Sequence, residues 1–316
     1  MNLALLISPE VLAAVARSST PLLLLGAGGL ICHRAGVFNV ALEGLLLLGC
    51  FTAVAASACT GSAVLGAAAA AVAGAAAAGV FAFGTITRFG HPLILGSAVN
   101  LLVAGATTFA LEAVFGVRGT YQSPDLARLP HWFSGAAAVP GIGPVLAALT
   151  PLGLLALAAV PLTHLMLHRT IAGTRLRGVG ENPDAARSLG VRPDGYRFAA
   201  LVLSGILGGL AGAELALGAV ALFTENMSAG RGWIIVLALL LTAGRAGPLL
   251  LALACYAYTQ ALGFRLQTVG LPMQVSDAAP YLATLALMVW LGVRPRRVRG
   301  QNQDEQKRFS FGGRGG

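Results

Sequence analysis

Five stretches of this sequence, residues 40–59, 62–87, 92–116, 148–167 and 198–223, stay apolar over the about 20 residues a helix needs to cross a bilayer. Runs at 17–34, 231–244, 247–266 and 276–293 are further candidate crossings. In hydrocarbon every backbone polar group must be satisfied internally, and apolar runs of this length do so as helices. The expected fold is an all-α, polytopic integral membrane protein with about eight transmembrane helices. The 231–244 run is short for a full span and is expected to be tilted or broken, returning through protein-lined space. Composition agrees, with 56% hydrophobic and 10% charged residues, which is far from a soluble enzyme.

The net charge of +9 does not indicate a nucleic-acid partner, because the arginines cluster at the ends of apolar runs and in the tail. Arg169, Arg175, Arg177, Arg187, Arg192 and Arg197 fall in residues 168–197, and six more arginines with Lys307 follow from Arg294. Residues 117–147 hold only Arg118 and Arg128. The positive-inside rule then puts 168–197 and the tail in the cytoplasm and 117–147 outside. Reading back through the spans puts the N-terminus outside, with residues 1–16 lying on the membrane. Pro9 and Glu10 break the first apolar run, and without a basic flank no cleaved signal peptide is expected. The outer stretch, rich in Pro and Gly, reads as an irregular loop with Tyr121, Trp132 and Phe133 near the interface. Residues 1–300 form one transmembrane domain on this reading. QNQDEQKRFSFGGRGG (301–316) has too little apolar content to fold and is expected to be a disordered cytoplasmic tail.

No catalytic constellation assembles. Cys32, Cys50, Cys59 and Cys255 lack metal-site spacing and read as small buried hydrophobes. The histidines form no HExxH motif, so no metal site is expected. A P-loop needs a lysine and the only one is Lys307, so no bound cofactor is expected either. Small residues recur every fourth position at Gly66, Ala70, Gly74 and Ala78 and again at Ser204, Gly208 and Gly212, which predicts smooth, closely packed helix faces.

Two polar stretches interrupt the apolar pattern, one in each half. HRAGVFNVALEG (33–44) carries Gly36, Phe38, Asn39 and Glu43. TENMSAGRGW (224–233) carries Glu225, Asn226 and Gly230. Broken elements at corresponding positions of two halves are a pointer to the solute path of a transporter and to an inverted-repeat-like arrangement. Ordinary interfacial turns are the plainer alternative. Asn100, alone in an apolar run, needs a partner in a neighbouring helix or a watery cavity. Glu43 and Glu214 are the ionisable residues least easily explained by snorkelling at a span end.

The stretch VGENPDAARSLGV (179–191) is a small polar helix between two long apolar runs. Asn182 suits the N-cap, Pro183 the first position, Asp184 the positive end of the dipole, and Gly190 the stop. About two turns of helix are too short to stand alone in water, so it rests on something. A rigid knob facing the cytoplasm is suited to receive motion from a soluble motor, although loops also carry such helices without binding anything.

RAGVFNVALEGLLLLG, LRGVGENPDAARSLGV, SGILGGLAGAELALG and FTENMSAGRGW, in this order and spacing, resemble the permease subunits of bacterial ATP-binding-cassette importers. The branch is that of ribose and branched-chain amino-acid permeases, closest to nucleoside-type permeases that work with basic-membrane-lipoprotein-like binding proteins. The similarity runs from about Thr20 to Arg294. It implies a bacterial cell-membrane location, a second related permease subunit, cytoplasmic ATPase subunits that bind the ATP, and an extracytoplasmic solute-binding lipoprotein. It also implies that ENPDAARSLG is the coupling helix, with Glu181, Asn182, Pro183, Asp184, Ala186, Arg187 and Gly190 at the ATPase. Gly36, Phe38, Asn39, Glu43, Asn100, Glu225, Asn226 and Gly230 would line the path of a nucleoside or related small polar solute. TAGRAGP, LLALACYAYTQAL and TRFGHP depart from the family pattern and leave the solute open. An ion-coupled secondary carrier is the alternative.

Overall fold

The computed structural model describes residues 8–293 apart from 125, 134, 136–138, 140–142 and 269–272. The tail at 301–316 lies outside the described residues. Helix predominates among the described residues. Helix α1 spans Pro9–Arg34, α2 Leu42–Thr60, α3 Ala63–Ala82, and α4 Pro92–Phe115, with a π-helical turn, Phe83–Thr87, extending α3. A two-residue strand β1 (Thr120–Tyr121) and the short α5 (Gly143–Ala147) precede α6 (Pro151–Arg169). Then come α7 (Ile171–Glu181), α8 (Pro183–Ser188) and α9 (Pro193–Ala213), the last prolonged by a π-helical stretch, Glu214–Val220. After β2 (Phe223–Thr224) follow α10 (Arg231–Thr242), α11 (Ala246–Thr268) and α12 (Met273–Val293).

Pro9 and Glu10 do not break the first run. They open it: the Ser8 side chain accepts the Val11 N–H, Pro9 occupies the first turn where its missing N–H is no loss, and Glu10 complements the helix dipole. Residues 9–16 therefore continue the first crossing instead of lying along the membrane. Among the described residues six helices are long and apolar enough to span a bilayer, and α10, at twelve residues or about 18 Å, is not.

Helix α9 is the hub of the packing, and glycine allows it. A Cβ on Gly205 would strike the Gly74 carbonyl, and one on Gly209 the Ala70 carbonyl, so α3 and α9 touch backbone to backbone. On another face, Gly212 abuts Leu46 and Cys50 of α2, and Gly28 of α1 has room for a Cβ only 3.0 Å from the Ser204 Cα. Between helices surrounded by lipid, such close approach supplies the van der Waals contact that burial supplies in water. The outward faces are apolar too: Val72, Leu101 and Phe109 are 69%, 77% and 75% exposed. A water-facing surface would not present such a band.

The two ends of the molecule differ. At one end β1 pairs antiparallel with β2, Tyr121 stacks on Phe115 with ring centroids 3.9 Å apart, and Glu112 forms an ion pair with Arg118. The outer stretch is thus partly ordered by a strand pair, where the sequence suggested only an irregular loop. The other end holds α7 and α8. Residues Pro193–Val220, about 40 Å of helix, separate the two.

Candidate functional site

The first interruption begins where α1 ends at Arg34. Gly36 adopts φ +72°, and a Cβ there would lie 3.0 Å from the Gly180 Cα, so only glycine lets the chain turn this tightly against α7. Residues 38–40 then run without helical bonds through the protein interior, and two asparagines help to satisfy the backbone around them. Asn39 is buried; its Oδ1 accepts the Ala41 N–H at 3.1 Å and its Nδ2 donates to Ser204 Oγ at 3.0 Å. Asn100 donates from Nδ2 to the Val40 carbonyl at 2.9 Å and accepts the Gly44 N–H on Oδ1 at 2.8 Å. One amide group on α4 thereby takes up an acceptor and a donor that the missing helical turn leaves open.

The second interruption follows β2. Asn226, Ala229 and Gly230 all have positive φ, which winds the chain back toward the protein interior before α10 starts. The two interruptions meet at Glu43, in the first turn of α2. Its Oε1 accepts the Gly230 N–H at 2.7 Å and its Oε2 the Gly232 N–H at 2.6 Å. A carboxylate from one half of the chain therefore caps a helix in the other half. It also sits in the first turn of its own helix, so the positive ends of two helices face one acidic group. Gly232 is required here, because a Cβ would fall 2.6 Å from the Glu43 Cα. From this junction α2 leads toward the β1–β2 end, where Phe51 meets Phe223 edge to face. Helix α10 leads the opposite way, to Gly244 packed on His33 at the end of α1.

Gly36, Asn39, Glu43, Asn100 and Gly230 are thus brought into one connected region. Phe38 packs half-buried against the core beside it. Glu225 and Asn226 are not part of it. Glu225 is tied to the outer connection, its carboxylate accepting the Gly119 N–H at 2.8 Å, and Asn226 forms the exposed-side turn whose carbonyl accepts the Ala229 N–H. The gap among Gly29, Phe38, Asn39 and Leu239 holds only about 10 Å³, room for one water at most. The region is a packed joint within this subunit.

Several participants carry no sequence signal of their own. Ser204 reads as a packing residue and is Asn39's partner. Tyr281, from α12, donates its hydroxyl to the Ala229 carbonyl while its ring stands edge-on to Tyr256 at 5.6 Å. Thr150, the N-cap of α6, likewise carries no signal, yet it donates at 2.7 Å to Oε2 of Glu214, the buried acid at the start of the π-helical stretch that the sequence did single out. Isolated Ser, Thr and Tyr in apolar runs are too common to single out without a fold.

Helix α8 is capped as its sequence dictates. Asn182 Oδ1 accepts the N–H groups of Asp184 and Ala185 at 3.1 and 3.0 Å, Arg187 pairs with Asp184 at 3.0 Å, and Gly190 closes the helix at φ +78°. Glu181 precedes the cap and is exposed, and Pro183 holds the first position. Ala186, however, is 7% exposed and faces its own chain, whereas Leu189 is 83% exposed. The free surface here is made by Asp184, Ala185, Arg187 and Ser188 of α8 together with Leu189, its C-cap.

Apolar spanning helices, two interrupted crossings joined at a carboxylate, and a small capped helix at one end define a polytopic membrane permease. The chain belongs to the family of branched-chain amino acid transport system permease components, whose model matches residues 11–290. It is 31% identical over 297 residues to a nucleoside ABC transporter permease of Lactococcus lactis, covering 88% of this chain and 92% of that one. A guanosine ABC transporter permease of Bacillus subtilis is 30% identical over 87% of this chain and 89% of its own. A Haloferax volcanii ABC transporter permease, provisionally named for glucose, is 31% identical over 91% of this chain and 93% of its own. No solved structure matches. The protein is accordingly a cell-membrane transport subunit of the ATP-binding-cassette class and not a catalytic enzyme.

Proposed function

We propose that this chain forms half of the path by which a nucleoside, or a related small polar solute bearing sugar-like hydroxyls, is imported. The observation that carries the reading is the Glu43 carboxylate held by the Gly230 and Gly232 N–H groups. This contact lets two interrupted crossings, one from each half, move as a unit or separate. Support for the solute class comes from the relatives, two of which are named for nucleosides or guanosine and one for glucose. All three names fit uncharged, hydroxyl-rich solutes. Because the joint is filled, the solute passes beside it, in the space completed by a second related permease subunit.

Work comes from a partner. A cytoplasmic ATPase subunit binds and hydrolyses ATP and engages α8 through Asp184, Arg187 and Leu189, the groups exposed on that helix. An extracytoplasmic solute-binding lipoprotein delivers the solute at the β1–β2 end. The test is reconstitution of the complete transporter in liposomes with labelled guanosine and labelled glucose offered in turn. ATP-dependent accumulation of the nucleoside, with glucose a weak competitor, supports the reading. Accumulation of neither, or preference for an amino acid, overturns the solute assignment.

A further inference from the structure

A groove of about 920 Å³ opens between α1, α6 and the start of α11. Its wall along α6 runs from Ala158 to His168, about 15 Å of helix, which matches one leaflet, half of the about 30 Å hydrocarbon thickness. Most of that wall is apolar, and Leu162 and Leu165 beside it are 59% and 53% exposed, so the groove is open sideways to lipid. Its arginines lie at one end, the end that also carries α7 and α8. There Arg34, Arg245 and His168 line the groove with the first turn of α11, His164 stacks on His168 one turn of α6 further in, and no Asp or Glu is among the lining residues. The Arg34 Nε is buried and has no hydrogen-bond partner in the described structure. A helix start adds N–H groups that lack intrahelical acceptors and a positive dipole end.

An apolar slot one leaflet deep, with cations and helix N–H groups at its interfacial rim, has the layout of an amphiphile with an anionic head. We propose that this groove binds one anionic phospholipid of the cytoplasmic leaflet. Its phosphate meets Arg34, Arg245 and the start of α11, and an acyl chain lies along α6 between Val160 and Leu165. A second protein subunit would need an acidic group to match the rim, whereas anionic headgroups are abundant at that membrane surface. The site is separate from the Glu43 joint and does not depend on the solute.

The complete transporter, purified in mild detergent and exchanged into nanodiscs of equal phosphatidylglycerol and phosphatidylcholine, is analysed by mass spectrometry for lipid retained after delipidation. Wild type is expected to keep phosphatidylglycerol over phosphatidylcholine. Arg245→Gln is expected to reduce that preference about fivefold, as loss of one cation at an anionic membrane surface does. Leu165→Trp, which fills the slot without touching charge, is expected to reduce retention of both lipids, and glycerol phosphate is expected not to compete. Equal retention of the two lipids by wild type overturns the proposal without reference to any variant. So does displacement by glycerol phosphate alone, or disulfide cross-linking of a cysteine at position 165 to the second permease subunit.

Discussion

The amide nitrogen of Gly230 and the carboxylate of Glu43 are 187 positions apart in sequence and 2.7 Å apart in space. With the second contact, from Gly232 at 2.6 Å, this carboxylate closes the gap between the two halves of the chain. Hydrogen bonds to a charged group contribute about 1.5–3 kcal/mol each, and an unpaired N–H in an apolar surrounding costs a comparable amount.

Glu43→Gln keeps the size of the side chain but places an NH2 group against a backbone N–H. Loss of one charge-assisted bond is expected to destabilise the subunit by about 1.5–3 kcal/mol and to reduce uptake steeply. Thermal unfolding in detergent and transport in liposomes check the two effects separately. A variant with normal stability and normal uptake contradicts the role assigned to the joint.

Asn100→Leu fits the same space and leaves both the Val40 carbonyl and the Gly44 N–H without partners. A loss of about 2–4 kcal/mol is expected, since two buried backbone groups go unsatisfied. Asn100→Asp retains the acceptor for Gly44 but not the donor for Val40, so it should fall between wild type and Leu in a denaturation series.

Much of this architecture is legible before any coordinates. The long apolar runs become helices at nearly the expected boundaries because hydrocarbon leaves the backbone no alternative, and the capping residues of α8 act locally. The polar interruptions around Gly36 and Gly230 also announce themselves, since each breaks an apolar run with glycine and ionisable or amide side chains. What periodicity does not reveal is which residue meets which across the fold. Glu225 and Asn226 sit next to Gly230 in sequence but belong to the outer turn, because three residues of positive φ carry the chain away from them. Ala186 lies on a helix read as an exposed knob yet points inward, since six residues of helix give no periodicity from which to infer a face. Pro9 looks like a breaker and serves as a start.

Gly205 and Gly79 provide a matched comparison. A Cβ at Gly205 collides with the α3 backbone, while one at Gly79 meets nothing within 4 Å. Gly205→Val is expected to abolish accumulation of folded protein in the membrane, and Gly79→Val to be tolerated, as judged by size-exclusion profiles of detergent extracts. Equal behaviour of the pair contradicts the close packing of α3 on α9.

On α8, Leu189→Asp leaves the fold intact and removes the exposed apolar contact. Association with the ATPase subunit, measured by co-purification, is expected to fall about tenfold, the loss of one buried leucine at an interface. Ala186→Arg is expected instead to unseat α8 and lower stability, because that side chain is enclosed by its own subunit. If Ala186→Arg weakened ATPase binding with stability unchanged, α8 would be oriented the other way.

On the proposed function this subunit provides the path while a partner supplies the work. Liposomes containing the complete transporter, and liposomes containing the permease subunits alone, are loaded with or without ATP and given a proton or sodium gradient. Solute is predicted to accumulate only where the ATPase subunit and ATP are both present, whatever the ion gradient. Accumulation by the permease subunits alone, driven by an ion gradient without ATP, would contradict the account.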